Sequence, residues 1–324
     1  MYATRTLAAV LVGLIAGLCS TISSAQTLPD KAIRVIVPLV PGASLDARMR
    51  IIAAAMSDRL KRHVVVENKP GAGGSIGTAL VAQAAPDGTT LLFTNNSYAI
   101  SPYALKNPGY DPVKSLTPVN RGYISSLVVV ATPTIKAQSM KELVALAKSQ
   151  PDLLSYGSSG MGSLPHFAAE AFFNGAGISP LHVPFKGDTQ ALTEVMAGRV
   201  SLVFSGILAA QPHIKAGKLR ALAVTSPARL GALDGVPTMR EAGYPEYNDT
   251  IWTGFFAPAG TPRPVIELLN REITATLNDP SLRAKLDASG AEAAPMPHGE
   301  FAKFIQTELA RYAKLVKALG IRMD

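Results

Sequence analysis

Cysteine is almost absent from this chain of 324 residues. The single one, Cys19, lies in an N-terminal segment that we expect to be removed, so disulfide bonds and thiolate catalysis are excluded for the mature protein. The five histidines show no metal-ligand spacing and have no cysteine partner. We therefore expect neither a metal nor a cofactor.

Long basic runs are also missing. Lys and Arg total 31 against 23 Asp and Glu, a formal net charge of +8, but the charges are scattered and not interleaved with aromatic residues. This pattern argues against nucleic-acid binding. The positive excess either attracts anionic small molecules or only keeps the protein soluble, and the charge alone does not decide between these.

The first residues have the layout of a secretory signal. Arg5 supplies a short positive region, residues 7–18 an apolar stretch, and residues 23–25 small side chains for cleavage. The apolar stretch is too short to span a bilayer, which takes roughly 20 residues. We expect cleavage near Ala25 and export of a mature chain that begins at Gln26.

Short apolar runs alternate with segments of helical period along the rest of the chain. Such continuously apolar strands, separated by helices, favour parallel sheets that are buried on both faces. There are too many units for one sheet, so we predict an α/β protein of two lobes, each a mostly parallel sheet flanked by helices. Strands are predicted at 32–37, 63–67, 89–94, 127–131, 153–157, 181–185, 200–205 and 219–225, and helices at 44–60, 74–84, 139–149, 264–277, 281–288 and 299–319, with others starting at Ser163 and Asp188.

The loops that follow the strands are candidate ligand sites, because helix N-termini there present unpaired N–H groups to an anion. The first loop contains Pro41, Gly42, Ala43, Ser44 and Asp46. Gly42 permits a sharp turn, Ser44 has the chemistry of an N-cap, and Asp46 falls in the first helical turn. These side chains either cap the helix or contact a ligand.

Two further loops follow the next strands. Residues 68–77, NKPGAGGSIG, lack the ending of a P-loop and carry Ile76 where a dinucleotide fingerprint needs glycine, so we predict a compact turn. Asn95, Asn96 and Ser97 end the third strand with short polar side chains, which are equally suited to a ligand contact and to an ordinary strand end.

The middle of the chain offers a serine- and glycine-rich loop. Ser158, Ser159, Gly162 and Ser163 provide many donors with little bulk, which suits an anion, and His166 lies one turn further on. A hydrolase would have to use Ser159 with His166, but no Gly-x-Ser-x-Gly motif supports that pair.

Two more strand ends complete the candidate set. Phe185, Lys186 and Gly187 follow one strand, and Lys186 is the one cation predicted to face this region. Ser205 ends the next strand.

Several stretches, taken together, resemble one family. They are VPLVPGASLD (37–46), VVVENKPGAGGSIG (64–77), APDGTTLL (85–92), YGSSGMGSLPH (156–166), PFKGDTQAL (184–192), AGKLRALAVTSPAR (216–229), GVPTMREAGYPEY (235–247), WTGFFAPAGTP (252–262) and the closing GI (320–321). In this order they resemble the substrate-binding proteins of tripartite tricarboxylate transporters, the Bug family. The resemblance covers nearly all of the mature chain.

The resemblance implies a periplasmic binding protein of the two-lobed type II class, and not an enzyme. One lobe would contain residues 26–126 and 252–324 and the other residues 127–251, with crossings near 125–130 and 248–255. The ligand would be a small carboxylate, held in the cleft by backbone amides and short polar side chains. The expected partner is a two-subunit integral membrane permease, and the expected state is a monomer.

The family motif would place first-lobe ligand contacts from Pro41 to Asp46, with Asn95 to Ser97 added from their position. Second-lobe contacts would be Ser158 to Ser163, Lys186, Gly187 and Ser205. The chain departs from the motif at Ala43, Phe185, Gln190 and Ser205, where the family commonly has Gly, Tyr, Pro and Asp. The change at Ser205 would remove a negative charge near the cleft and favour a ligand with a second carboxylate. The replacement Ser205→Asp would then weaken a dicarboxylate more than a monocarboxylate.

The identity of the ligand and its use stay open on the sequence. Tyr98, Phe185 and Trp252 would flank the cleft and leave room for a planar acid such as a phthalate-type dicarboxylate, although an aliphatic dicarboxylate fits nearly as well. The lobes could also present a bound ligand to a signalling partner instead of a permease.

Overall fold

The computed structural model describes residues 28–247 and 250–322. The predicted signal segment lies outside the described residues, as do residues 248–249 of the second predicted crossing. No helix in the described part is long and apolar enough to cross a membrane.

The strands and helices alternate for most of the chain. The strands are β1 Ile33–Val37, β2 Val64–Asn68, β3 Thr90–Asn95, β4 Leu116–Ser125, β5 Leu127–Ala131, β6 Ser155–Ser158, β7 Leu181–Pro184, β8 Leu202–Gly206, β9 Arg220–Val224, β10 Ile251–Pro258 and β11 Ala291–Ala293. The helices are α1 Ser44–Leu60, α2 Ser75–Ala82, α3 Ser97–Ala104, α4 Met140–Ser149, α5 Leu164–Ala176, α6 Asp188–Met196, α7 Ile207–Lys215, α8 Arg263–Leu277, α9 Pro280–Ala288 and α10 His298–Leu319.

The strands form two sheets, which confirms the predicted two-lobed α/β architecture. The first has the order β11-β4-β10-β3-β1-β2 and the second the order β7-β6-β8-β5-β9. Pairs among β1, β2 and β3, and among β6, β7 and β8, are parallel as expected. Strands β4, β5, β10 and their neighbours pair antiparallel, so both sheets are mixed.

Each sheet is covered on both faces by apolar side chains. The first sheet packs one face on α1 and α8 and the other on α10, with Val35 in one hydrophobic cluster and Ile36 in the other. In the second sheet the neighbours Val129 and Val130 likewise belong to different hydrophobic clusters, one on each face. This double burial explains why the strands are continuously apolar.

The two sheets are joined where their carboxyl edges meet. A single residue, Ser126, separates β4 from β5, and Leu127 pairs with Gly206 at the carboxyl end of β8. On the other side, Ile251 at the start of β10 pairs with Ser125. The lobe boundaries near 126 and 252 stay a prediction, and the division of the strands between the sheets supports it.

Some elements carry little sequence signal. Strand β4 contains proline, asparagine, arginine and glycine, and so has no continuous apolar run. Gly122 is needed there because a Cβ atom would lie 2.8 Å from both the Phe93 ring and Thr253 Oγ1. Helices α3 and α7 each contain a proline, at Pro102 and Pro212, which hid their helical period.

Candidate functional site

The loop between β1 and α1 is held together by a buried carboxylate. Asp46 is 2% exposed, and its oxygens accept hydrogen bonds from Gly42 N (2.8 Å), Asn68 Nδ2 (2.9 Å) and Arg50 Nε (3.1 Å). Burial acts to raise the pKa of Asp46, but the bonds from these three groups outweigh it and lower the pKa. Asp46 therefore shapes the loop and has little capacity left for a ligand.

The predicted N-cap at Ser44 is wrong, because Ala43 occupies that position and no side chain caps α1. Ser44 is instead the first helical residue and is exposed, as are Pro41 and Gly42. Gly42 has φ +81°, a conformation that favours glycine. The loop thus presents uncapped backbone N–H groups beyond the carboxyl end of β1.

The three polar residues after β3 have different environments. Asn96 is fully buried: its Nδ2 donates to Thr250 O (3.1 Å) and Tyr312 Oη (2.8 Å), and its Oδ1 accepts from Trp252 N (3.0 Å). Asn95 and Ser97 are half-buried, and Asn95 Oδ1 accepts from Ser97 N (3.0 Å). Asn96 therefore ties β10 to the first lobe, whereas Asn95 and Ser97 lie nearer the edge.

The serine-rich loop after β6 rests on a stacked pair of histidines. The rings of His166 and His182 lie 4.0 Å apart at 7°, and Tyr156 stacks on His182 at 4.7 Å. His166 Nδ1 accepts from Gly162 N (3.0 Å), and His182 Nε2 lies 2.7 Å from Ser158 Oγ. His166 is 3% exposed, so it supports the loop from the protein interior.

The serines of this loop also divide by exposure. Ser158 is fully buried and its hydroxyl contacts Gly160, which leaves no open nucleophile beside His182. Ser163 Oγ caps α5 by accepting from His166 N at 3.4 Å. Ser159 is half-buried. The predicted weakness of a Ser159–His166 pair fits this geometry, since His166 Nδ1 is already occupied by Gly162.

The pKa of His166 is lowered to about 4, first by burial and then by the neighbouring His182. A lowered histidine pKa contributes stability above the unfolded value near 6.5, and that contribution is lost as pH falls toward 4. We expect about 3 kcal/mol of the free energy of unfolding to disappear over this range, because each pKa unit corresponds to about 1.4 kcal/mol. Urea denaturation at several pH values would measure it.

The matched variants for that measurement are His166→Gln and His63→Gln, the second at an exposed position. Only His166→Gln should flatten the dependence of stability on pH between 6.5 and 4. Equal slopes in all three proteins would contradict the assignment to His166.

The strand ends of β7 and β8 hold the other predicted residues. The Phe185 ring covers β6 at Gly157, where a Cβ atom would lie 3.3 Å from it. Lys186 is exposed, and its backbone N donates to Gln190 Oε1 (3.1 Å). Gly187 precedes α6 with φ +153°, and no side chain caps that helix.

Ser205 is not the neutral position that the sequence indicated. It is 0% exposed, and its hydroxyl donates to Asp188 Oδ2 at 3.2 Å, an oxygen that also accepts from Gly206 N at 3.0 Å. A carboxylate therefore stands beside Ser205 after all, supplied by Asp188. This part of the site therefore carries a negative charge, and the expectation that Ser205 favours a second carboxylate stays a prediction.

Uncapped helix starts line both carboxyl edges. At helices α1 and α3 of the first lobe, and α6 and α7 of the second, the N-cap side chain accepts no hydrogen bond from the first turn. Other side chains accept one bond at two of these starts, Asn95 Oδ1 from Ser97 N at α3 and Asp188 Oδ2 from Gly206 N at α7. Such N-termini bind carboxylates through their N–H groups and their partial positive charge. The arrangement suits non-covalent binding of an anion.

Sequence reasoning missed three structural residues and misplaced two aromatic ones. Asn68 and Asp188 lie in the quoted stretches 68–77 and 184–192, but no local signal gave them or His182 a role, and only the packed fold brings them to the loops. Tyr98 and Trp252 are core residues, 1% and 2% exposed, with Tyr98 Oη donating to Pro112 O and Trp252 Nε1 to Glu308. They do not flank the cleft.

In the described part of the chain, neither a candidate metal site nor either of the two surface grooves lies at the carboxyl ends of the strands. Within residues 28–247 and 250–322, no group of three or more acidic, histidine or cysteine side chains could hold a metal ion. Two surface grooves of about 430 and 440 Å³ lie elsewhere, between α3 and α10 and beside α8.

Comparisons with known proteins agree on one family. The model of the tripartite tricarboxylate transporter family receptor, TctC, matches residues 48–321. BugT of Bordetella pertussis is 34% identical over 326 residues, with all of both chains covered. The family model thus covers the chain from the first turns of α1 to just beyond α10.

Solved structures extend the likeness to the fold. The periplasmic binding protein BugD is 32% identical with a TM-score of 0.79, over 91% of this chain and 99% of that one. R. palustris Rpa4515 with adipate is 31% identical with a TM-score of 0.82, over 91% and 99%. MatC from Rhodopseudomonas palustris with bound malate is 29% identical with a TM-score of 0.77, over 89% and 99%.

These relatives are solute-binding receptors rather than enzymes, and they share the two-lobed architecture described above. The chain therefore belongs to the tripartite tricarboxylate transporter receptor (TctC) family.

Proposed function

We propose that the protein is a periplasmic receptor that binds a small organic carboxylate between the carboxyl edges of its two sheets. The observation that carries this proposal is the set of uncapped helix N-termini on both edges, at α1, α3, α6 and α7. The N–H groups at these ends, apart from Ser97 N and Gly206 N, which bond to Asn95 and Asp188, can hold a carboxylate without a formal counter-ion.

The relatives favour an aliphatic dicarboxylate over a planar acid. Rpa4515 was solved with adipate and MatC with malate. In this chain Tyr98 and Trp252 are packed in the core. Of the three aromatic residues expected to flank a phthalate-type acid, only Phe185 is left. We propose an aliphatic dicarboxylate as the natural ligand class.

Delivery to a two-subunit membrane permease completes the proposal. Family membership supports that partner, and the similarity to BugD supports a periplasmic location reached through the cleavable N-terminal signal. Binding would draw the lobes together, because a ligand held by both edges stabilises the closed form more than the open one. We propose a monomer for this cycle.

A thermal-shift screen of the mature chain would test the binding step. At a concentration of 100 times its dissociation constant, the right acid should add about 2.7 kcal/mol of stability. The panel would contain adipate, malate, succinate and phthalate, with the matching neutral diamides as controls. If none of the acids raises the melting temperature above its diamide, the receptor proposal fails.

A further inference from the structure

Asp188 is a half-buried residue whose two carboxylate oxygens differ: Oδ2 is hydrogen-bonded, and Oδ1 is buried without a partner anywhere in the described ranges. Oδ2 accepts from Gly206 N and Ser205 Oγ, whereas Oδ1 is buried and has no hydrogen-bond partner in the described part of the chain. Among the described residues, no Lys, Arg or His nitrogen pairs with it within 4 Å. A buried oxygen of this kind is costly unless something donates to it.

The carboxylate stands among the residues that line the proposed site. Asp188 begins α6 at the carboxyl end of β7, and its bonds reach the carboxyl end of β8. Strand β6, which ends at Ser158, lies between those two strands in the sheet. The segment from the end of β7 to Asp188 therefore crosses the carboxyl end of the strand from which the serine-rich loop departs.

The charge of the Asp188 carboxylate determines which ligand groups could hydrogen-bond to Oδ1. Burial raises the pKa of Asp188, although the bonds from Gly206 and Ser205 act against this. A ligand carboxylate placed on Oδ1 would be repelled unless one of the two groups were protonated. A hydroxyl or an ammonium group has a hydrogen to donate and meets no such penalty.

We propose that Asp188 Oδ1 accepts a hydrogen bond from a hydroxyl or ammonium group on the carbon chain of the ligand. Asp188 thereby selects hydroxy- or amino-substituted acids over unsubstituted ones. The inference rests on the proposed receptor function and narrows its ligand class.

Three acids of one carbon skeleton test this directly: succinate, malate and aspartate, which carry no donor, a hydroxyl and an ammonium group on the chain. Titration calorimetry with the mature wild-type protein at pH 7.5 should show malate or aspartate binding at least ~10-fold more tightly than succinate, since hydrogen bonds to charged groups are the strong ones. A ratio near or below one for both substituted acids would overturn the proposal.

The variant Asp188→Asn keeps an acceptor for Gly206 N and Ser205 Oγ but turns the bare oxygen into an NH₂ donor. The aspartate advantage over succinate should disappear, and that of malate should shrink. Glu194→Gln makes the same change of carboxylate to amide on the same helix, where Glu194 pairs with Arg199, and it should leave the ratios as in wild type.

Two further results separate the possible failures. Unchanged ratios in Asp188→Asn would overturn the role of Asp188 while leaving the receptor function standing. If none of the three acids, and none of the thermal-shift panel, binds wild type, the receptor function itself fails. Should Asp188→Asn not fold, the wild-type ratios still decide, and Asp188→Ser provides the second variant.

Discussion

Replacing Asn96 by alanine is expected to lower the free energy of unfolding by about 3 kcal/mol, because buried groups left without partners cost about 1–3 kcal/mol each. The side chain is 0% exposed and donates or accepts at Thr250, Trp252 and Tyr312. Its loss would leave a buried N–H group at the start of β10, the strand that returns the chain to the first sheet. Urea denaturation followed by tryptophan fluorescence would report it, since Trp252 lies at this contact.

Asn95→Ala is the matched control, one residue away. Asn95 is half-buried, and among the described residues its side chain hydrogen-bonds only to Ser97 N, so its loss should cost far less stability. If Asn95 contributes to the ligand site, its replacement should reduce carboxylate affinity without moving the denaturation midpoint. Equal losses of stability in the two variants would contradict the division of roles.

Ser205→Asp is expected to destabilise the protein by about 3 kcal/mol at pH 8, because it places a second carboxylate against Asp188 in a buried site. Like charges raise the pKa of such a pair. A raised carboxyl pKa gives stability that is present at low pH and lost as pH rises through the folded value. The deficit of the variant should therefore shrink as pH falls toward 5, which denaturation at several pH values would measure.

The double variant Asp188→Ser/Ser205→Asp exchanges the two residues, so that the carboxylate stands at position 205 and the hydroxyl at position 188. A single negative charge and one serine hydroxyl are then restored, so most of the lost stability should return. A double variant that is as unstable as the sum of the two single ones would show that the positions are not coupled.

The sequence was most informative where a strand consists of an unbroken run of apolar residues. Strand β5 was predicted with the bounds that the structure gives, because five apolar residues in a row are buried on both faces. It was least informative for single polar side chains. Asn95 and Asn96 are chemically identical neighbours, and only packing against Tyr312, 216 residues away, separates their roles.

The candidate site shows the same division. The loops were found from their glycines and serines because those residues mark turns wherever they occur. The carboxylate of Asp188 was not foreseen, since nothing in its neighbourhood indicates a contact with Ser205, 17 residues later. The helix caps were misjudged at Ser44 because capping depends on where the first turn begins, and sequence places that only to within a residue or two.

The central place of β10 in the first sheet dictates an order of assembly during synthesis. The strands of the second sheet lie between positions 127 and 224 without interruption, so that sheet can close as soon as its own residues are available. The first sheet must wait for residues 251–258, which insert between β3 and β4. Until then the nascent chain carries two open strand edges, the surfaces at which unfinished chains aggregate and which a holding chaperone would cover.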